Sequence, residues 1–365
     1  MCSGACIRFL VFYITSILWI GGCSDVNKNF VKPGIISKKK LNRTYNREVV
    51  LKDSILFYFD DAKRELAAIH IRDTDSVLWT KKIGYSNSIL GNANNLFVFE
   101  FDTVASLRDD TLRTRFFMLD HENGAELFER DFTSLRKKAV DGFSSGKGLF
   151  RILWHDSCLY FSTSDGFIKS FDYQKNKINW EVKIDSYLSS DIKVNNNNLF
   201  ALTNNCNLYS IHIHHGVLNW MKDIDHLSVA NSLIVDKDFI YFSNQKGTVY
   251  CLDAFTAHTV WKKNYDIKTL LTFDDKLIAG SGETFNLINK SNGDILEGAG
   301  LMPGFLQYWE LNGWFITRDR HSLNFYEKPH LNYKYSIKCS AYGGVIIKDD
   351  LLVYPYDYSV IIAQL

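Results

Sequence analysis

Proline is scarce in this chain, with 4 in 365 residues, and methionine is equally rare. Neither sign of charge predominates: 42 Lys and Arg face 41 Asp and Glu, for a formal charge of +1. That balance lacks the basic footprint of a nucleic-acid binder. None of the 7 cysteines are neighbours in sequence, and none are spaced C-x-x-C, so zinc and vicinal-thiol chemistry have no support. The glycine-containing run Ser144-Ser145-Gly146-Lys147-Gly148 has neither the spacing nor the strand-to-helix context of a phosphate-binding loop. No nucleophile–base pairing can be argued from the sequence. Its histidine cluster is His212, His214 and His215. Residues 212 and 214 share a strand face and 215 enters a turn, so a metal site is conceivable, but exposed turn histidines are the simpler reading. Long apolar runs are missing except near the start, where Phe9–Ile20 is too short to span a bilayer comfortably.

Aromatic residues are plentiful, at 15%, and they recur with a period. Leu159-Tyr160-Phe161-Ser162 is followed by Asp165-Gly166, then Phe167-Ile168-Lys169-Ser170-Phe171-Asp172, then Trp180. Leu199–Leu202, Leu208–Ile211, Gly216 and Trp220 repeat the order. Ile240–Ser243, Lys246-Gly247, Val249–Asp253 and Trp261 repeat it again. The tryptophans are 40 and 41 residues apart, a period that marks a propeller or solenoid. One such unit cannot bury its own apolar faces, so units must stack.

The same pattern extends both ways. Ile55–Phe59, Leu66–Ile71 and Trp79 form an earlier copy, and Leu96–Phe99, Phe116–Asp120 and Asn123-Gly124 lead to Phe128 at the Trp position. Inserts at residues 102–115 and 133–148 read as surface loops. Past Trp261 the motif weakens, with Leu296-Glu297 and Tyr335 at the Trp position. Seven Trp-position strands result, and then three final runs, Val345–Ile347, Leu351–Tyr354 and Val360–Ala363, without a fourth. An open apolar edge invites pairing. The Phe30–Ser37 segment is placed to fill it. The fold expected is all-β: one eight-bladed propeller of four-stranded blades, closed by an N-terminal strand. Seven blades is the alternative, because the repeats near residues 285 and 325 are weak. Strand alternation sends Trp79, Trp180, Trp220 and Trp261 to one face, where an indole fills the gap between blades. Burying such a ring is worth about 3 kcal/mol, and truncation costs roughly 3–5 kcal/mol. These tryptophans read as structural. Cys158, Cys206, Cys251 and Cys339 fall in separate repeats and read as small buried thiols.

The run Val249-Tyr250-Cys251-Leu252-Asp253 to Trp261 resembles the PQQ-type propeller repeat, which ends a strand on Asp, turns through Thr-Gly-Lys and places Trp eight residues after the Asp. Ala257 stands where that repeat has Gly, Asn176 does so in the copy before Trp180, and His212 stands for Asp in the copy before Trp220. At the N-terminus, Arg8, the apolar run and Ile20-Gly21-Gly22-Cys23 resemble a bacterial lipoprotein signal. That resemblance implies removal of residues 1–22, acylation of Cys23 through thioether-linked diacylglycerol and an N-acyl chain, a tether at 23–29 and a propeller domain at 30–365. An ordinary signal peptide or an uncleaved anchor is the alternative. Ser24 is compatible with outer-membrane sorting. The basic run Lys38-Lys39-Lys40 is a solvated segment or a headgroup contact.

A lipoprotein signal joined to eight PQQ-type repeats resembles the outer-membrane protein assembly factor BamB family. The resemblance implies a non-enzymatic scaffold at the periplasmic face of the outer membrane. Its partners would be the periplasmic domains of the β-barrel insertase (BamA-like, within the BAM complex) and unfolded barrel precursors. No cofactor and no metal are implied. In that family the insertase is gripped by neighbouring loops on one rim, one with a Leu-x-Leu-Arg run and one with paired aspartates. The matching loops here contain Tyr187, Leu188 and Asp191, and Asp223, Asp225 and Leu227. No Arg follows Leu188, a departure from the family's pattern. Quinoprotein dehydrogenases share the repeat and keep a small-ligand or cofactor propeller as the alternative, but they carry a Cys-Cys pair and a longer chain. A lipoprotein propeller with an unrelated partner is the third reading.

Overall fold

The runs of β-branched and aromatic residues pair four at a time. The computed structural model describes residues 34–40 and 50–364, apart from short connections of which 136–150 is the longest. Every regular element among the described residues is a strand, and the strands form eight antiparallel sheets. These are blade 1 (50–82), blade 2 (85–135), blade 3 (152–183), blade 4 (193–223), blade 5 (229–264), blade 6 (269–301), blade 7 (307–338) and blade 8 (346–364 with 34–40). The first strands of blades 4 and 5, 5 and 6, 1 and 2, and 8 and 1 lie against one another, so first strands surround the axis. Fourth strands form the outside.

The ring closes as the sequence suggests, with eight blades and not seven. Blade 8 takes its outer strand, Gly34–Lys40, from the N-terminal end, pairing Gly34 with Gln364 and Lys40 with Ser359. This described strand overlaps the expected Phe30–Ser37 segment at residues 34–37 and continues to Lys40; residues 30–33 lie outside the described residues. A blade's outermost strand is a sheet edge, and lysines in such a strand discourage pairing with another chain; the sequence of this one ends in three.

Eight hydrophobic clusters fill the eight seams. Phe57 and Trp79 of blade 1 meet Val98 and Leu119 of blade 2. Phe99 and Phe116 meet Phe161 and Phe171 across the next seam, and Tyr58 and Ile69 of blade 1 meet Val353 and Ile362 of blade 8. The remaining five follow the same scheme.

One backbone detail repeats in every blade. The third and fourth strands slip register just after the Trp position: Ala68↔Trp79, Met118↔Phe128, Ser170↔Trp180, Ser210↔Trp220, Cys251↔Trp261, Leu287↔Glu297 and Phe325↔Tyr335. In blade 8 the same slip follows Ile362↔Ser37, although its two strands come from opposite ends of the chain. A bulge re-aims a side chain, and here it swings the large ring toward the next blade. Each indole then donates to the carbonyl of the residue that ends the next blade's third strand or follows it: Trp79 Nε1 to His121 O (3.1 Å), Trp180 to Ile213 O (2.8 Å), Trp220 to Ala254 O (3.2 Å) and Trp261 to Lys290 O (2.9 Å). Two residues further on, a cation reaches across the same seam: Lys81 to Glu126 (2.9 Å), Arg130 to Asn176 O (2.8 Å), Lys222 to Ala257 O (2.5 Å), and Lys263 to Asp294.

The two rims differ. On the turn rim, first and second strands join through two-residue turns, Asp53-Ser54, Asp156-Ser157, Asn196-Asn197, Lys237-Asp238 and Asp274-Asp275. Each begins with φ between 48° and 52°, the left-handed conformation such hairpins need and Asn and Asp tolerate best. The third-to-fourth turns share this rim. The opposite, connection rim carries the second-to-third turns and the links between blades. Blade 2 departs from the scheme there. Residues 102–115, expected as a loop, continue its second and third strands as a hairpin paired up to Ala105↔Asp110, with Ser134–Leu135 added beside Leu112 and Thr111. Most of the second insert, residues 133–148, lies outside the described residues.

Candidate docking rim

The link from blade 3 to blade 4, residues 185–191, is folded down on blade 4 and does not stand away from it. Leu188 is fully buried between blades 3 and 4 and bridges Thr203. Backbone bonds fasten it on both sides, Ser189 N to Leu202 O at 2.8 Å and Asn204 N to Tyr187 O at 2.9 Å. Asp185 starts the link and accepts from Asn207 Nδ2 at 2.8 Å and from the Tyr209 hydroxyl at 2.9 Å. Partial burial pushes its carboxyl up, but the hydrogen bonds from Asn207 and Tyr209 outweigh burial and hold it below the usual carboxylate range. Tyr209 answers in the opposite direction: burial, then the bond to Asp185, pushes its hydroxyl up to about 12.

Leu188 therefore sets the shape of this link, and its side chain is not presented to a partner. Tyr187 is half-buried and Asp191 exposed. Asp191 forms an ion pair with Arg151 of blade 3, 3.2 Å away. Arg151 carries no motif of its own in the sequence, yet it precedes the first strand of blade 3 much as Asp191 precedes that of blade 4. Superposing the repeats would have placed both on one rim. No arginine follows Leu188, and the guanidinium beside this loop is that of Arg151.

Asp223 ends the outer strand of blade 4 and is exposed on the same rim. Burial, then the charges of Asp223 and Asp185, push the Cys206 thiol up. The two aspartates thus flank one buried turn residue. Asp225 and Leu227 lie outside the described residues, as do the expected signal segment 1–22, Cys23 and the tether 23–29.

The histidines sit on the turn rim, far from these loops. Ring centres of His212 and His215 are 4.7 Å apart and stacked, while those of His212 and His214 are 5.9 Å apart. Among the described residues no group of His, Cys, Asp and Glu is arranged to hold a metal ion. Cys158, Cys206, Cys251 and Cys339 are free thiols, three of them buried. Burial pushes Cys251 up to about 12, which makes it a poor nucleophile.

Three comparisons bear on this geometry. Residues 154–263 match the family model described as outer membrane protein assembly factor BamB. That segment covers most of blade 3, all of blade 4 and most of blade 5, and includes both loops discussed above. Among solved structures, BamB from Moraxella catarrhalis is similar with a TM-score of 0.66 at 12% identity, over 92% of this chain and 100% of that one. The computationally designed Ika8 protein is similar with a TM-score of 0.69 at 11% identity, over 91% of this chain and 100% of that one. At such identities these likenesses show the fold. No curated protein matches the sequence. The family match and the BamB structure support the resemblance read in the sequence.

Proposed function

We propose that the chain is a non-enzymatic scaffold of outer-membrane barrel assembly, anchored through acylated Cys23 at the periplasmic face and docked by its connection rim on a periplasmic domain of the β-barrel insertase. The observation that carries this reading is the match of residues 154–263 to the BamB model, within a closed eight-bladed ring. The matched segment is the one that carries the two loops. Rigid loops favour docking because little conformational freedom is lost on binding, and residues 185–191 are held by the bonds described above. The contacts then fall to Tyr187, Asp191 and Asp223, with Arg151 supplying the positive charge, while buried Leu188 supports them from beneath.

The test is photo-crosslinking in intact cells from positions 187 and 191. Insertase subunits among the crosslinked species, lost with Asp191→Arg combined with Asp223→Arg, are the expected result. Crosslinks only to proteins unrelated to barrel assembly overturn it. A calorimetric signal for quinone with calcium would instead favour the small-ligand class.

A further inference from the structure

The outer strand of blade 8 has a direction, and that direction separates the two rims. Gly34 pairs with Gln364, the last residue of the blade's third strand, so the chain enters the ring on the turn rim. It leaves at Lys40, opposite Ser359, on the connection rim. Ten residues, 24–33, separate Cys23 from this strand. Any ten residues reach at most about 35 Å fully extended, and a random chain of that length has a mean span of about 17 Å. The rims are roughly 20 Å apart, the length of a six-residue strand.

These lengths decide the orientation. With the turn rim toward the bilayer, the tether starts on the membrane side and needs no extension. With the connection rim toward the bilayer, the tether must first run back over the full height of blade 8. That takes more than its mean span and over half of its full reach, about 20 Å of about 35 Å. We infer that the turn rim near blades 8 and 1 is the face this protein sets against a lipid surface, and that the connection rim, with residues 185–191 and the long hairpin of blade 2, faces away from the bilayer. The inference rests on acylation of Cys23, which belongs to the function proposed above. It also disposes of Lys38–Lys40 as headgroup contacts, because the register carries them toward the connection rim.

Blade 1 supplies a matched pair of reporters beside blade 8. Arg72 is exposed in its third-to-fourth turn, on the turn rim, and Lys63 is exposed in its second-to-third turn, on the connection rim. Arg72→Cys and Lys63→Cys, each in a Cys158→Ser background, would carry a fluorophore on the full acylated chain. The chain is bound to phosphatidylethanolamine–phosphatidylglycerol vesicles with a headgroup-level quencher. The label at position 72 should be quenched at least threefold more than that at 63, and the difference should vanish in Cys23→Ala protein. Equal or reversed quenching on vesicle-bound protein overturns the rim assignment while leaving the anchor intact. A chain that fails to float with vesicles overturns the anchor, and the orientation with it.

Discussion

Gly216 of blade 4 lies flat against the indole of Trp180 in blade 3. A Cβ added to Gly216 would come within 2.6 Å of Trp180 Cγ, and the residue has φ of +66°. The same contact joins Gly124 to Trp79 and Gly293 to Trp261, with φ of +70° and +72°. The turn residue of one blade is thus cut to fit the ring of the blade before it. Gly216→Ala is expected to lose about 1–2 kcal/mol to the left-handed backbone and about 1–3 kcal/mol more to the overlap. Denaturant midpoints measure the loss. In a Trp180→Leu background the penalty should shrink toward the backbone part alone, since the ring that causes the overlap is gone.

Ala257 occupies the equivalent turn of blade 5, facing the Trp220 seam, with φ of 59°. It holds a left-handed conformation with a Cβ attached. Ala257→Gly should therefore stabilise the protein by about 0.5–1 kcal/mol, the backbone relief exceeding the added freedom of the unfolded chain. A rise in urea midpoint at unchanged slope is the expected signature. A fall would mean that the Cβ packing is worth more than the strain.

Blade 6 has no ring at this position: Glu297 stands there in the register, opposite Leu287. The bulk comes from the other side of the seam. Leu331, in the turn of blade 7, is buried among Leu271, Phe273, Ile278 and Leu287 of blade 6, with φ of 53°. A branched side chain is rarely found there, so its packing must outweigh the strain. Leu331→Ala should cost about 2–4 kcal/mol, and Glu297→Trp should clash with Leu331 and not restore a tryptophan seam. The double variant Glu297→Trp with Leu331→Gly is expected to recover most of the stability lost by either change.

That reciprocity shows what the sequence could reveal. The eight-residue step to Trp180, Trp220 and Trp261 made the blades legible, because a propeller seam demands one large flat group at one register. Where the demand is met from the facing turn, as at Leu331, the step persists but its landmark disappears. The closing strand was legible as a need, an open edge in blade 8, and only approximately as a position. A sheet edge imposes no strict apolar pattern. Leu188 misled for another reason: a leucine in a surface link looks available from the sequence, and only the bridge to Thr203 shows that it points inward. Arg151 and Asp191 are separated by a whole repeat, so their ion pair is invisible until adjacent blades are set side by side.

The link over residues 185–191 should also respond to acid. Asp185 has a folded-state pKa below its unfolded value, because the bonds from Asn207 and Tyr209 outweigh the cost of partial burial. A depressed carboxylate contributes stability that is fully present above the unfolded pKa, about 4. The contribution is lost as pH falls through the lower folded pKa. The anchoring of residues 185–191 is thus expected to be constant from pH 7 to about pH 5 and to weaken below about pH 4. Hydrogen exchange at the Asn204 amide, which bonds Tyr187 O, reports the opening directly, once the rates are corrected for the intrinsic effect of pH. In Asp185→Asn the amide oxygen still accepts a hydrogen bond but no longer titrates. Its Asn204 protection should therefore be somewhat lower at pH 7 and flat through the acid range where the parent protein changes. A parent profile as flat as the variant's would show that Asp185 does not fasten the link.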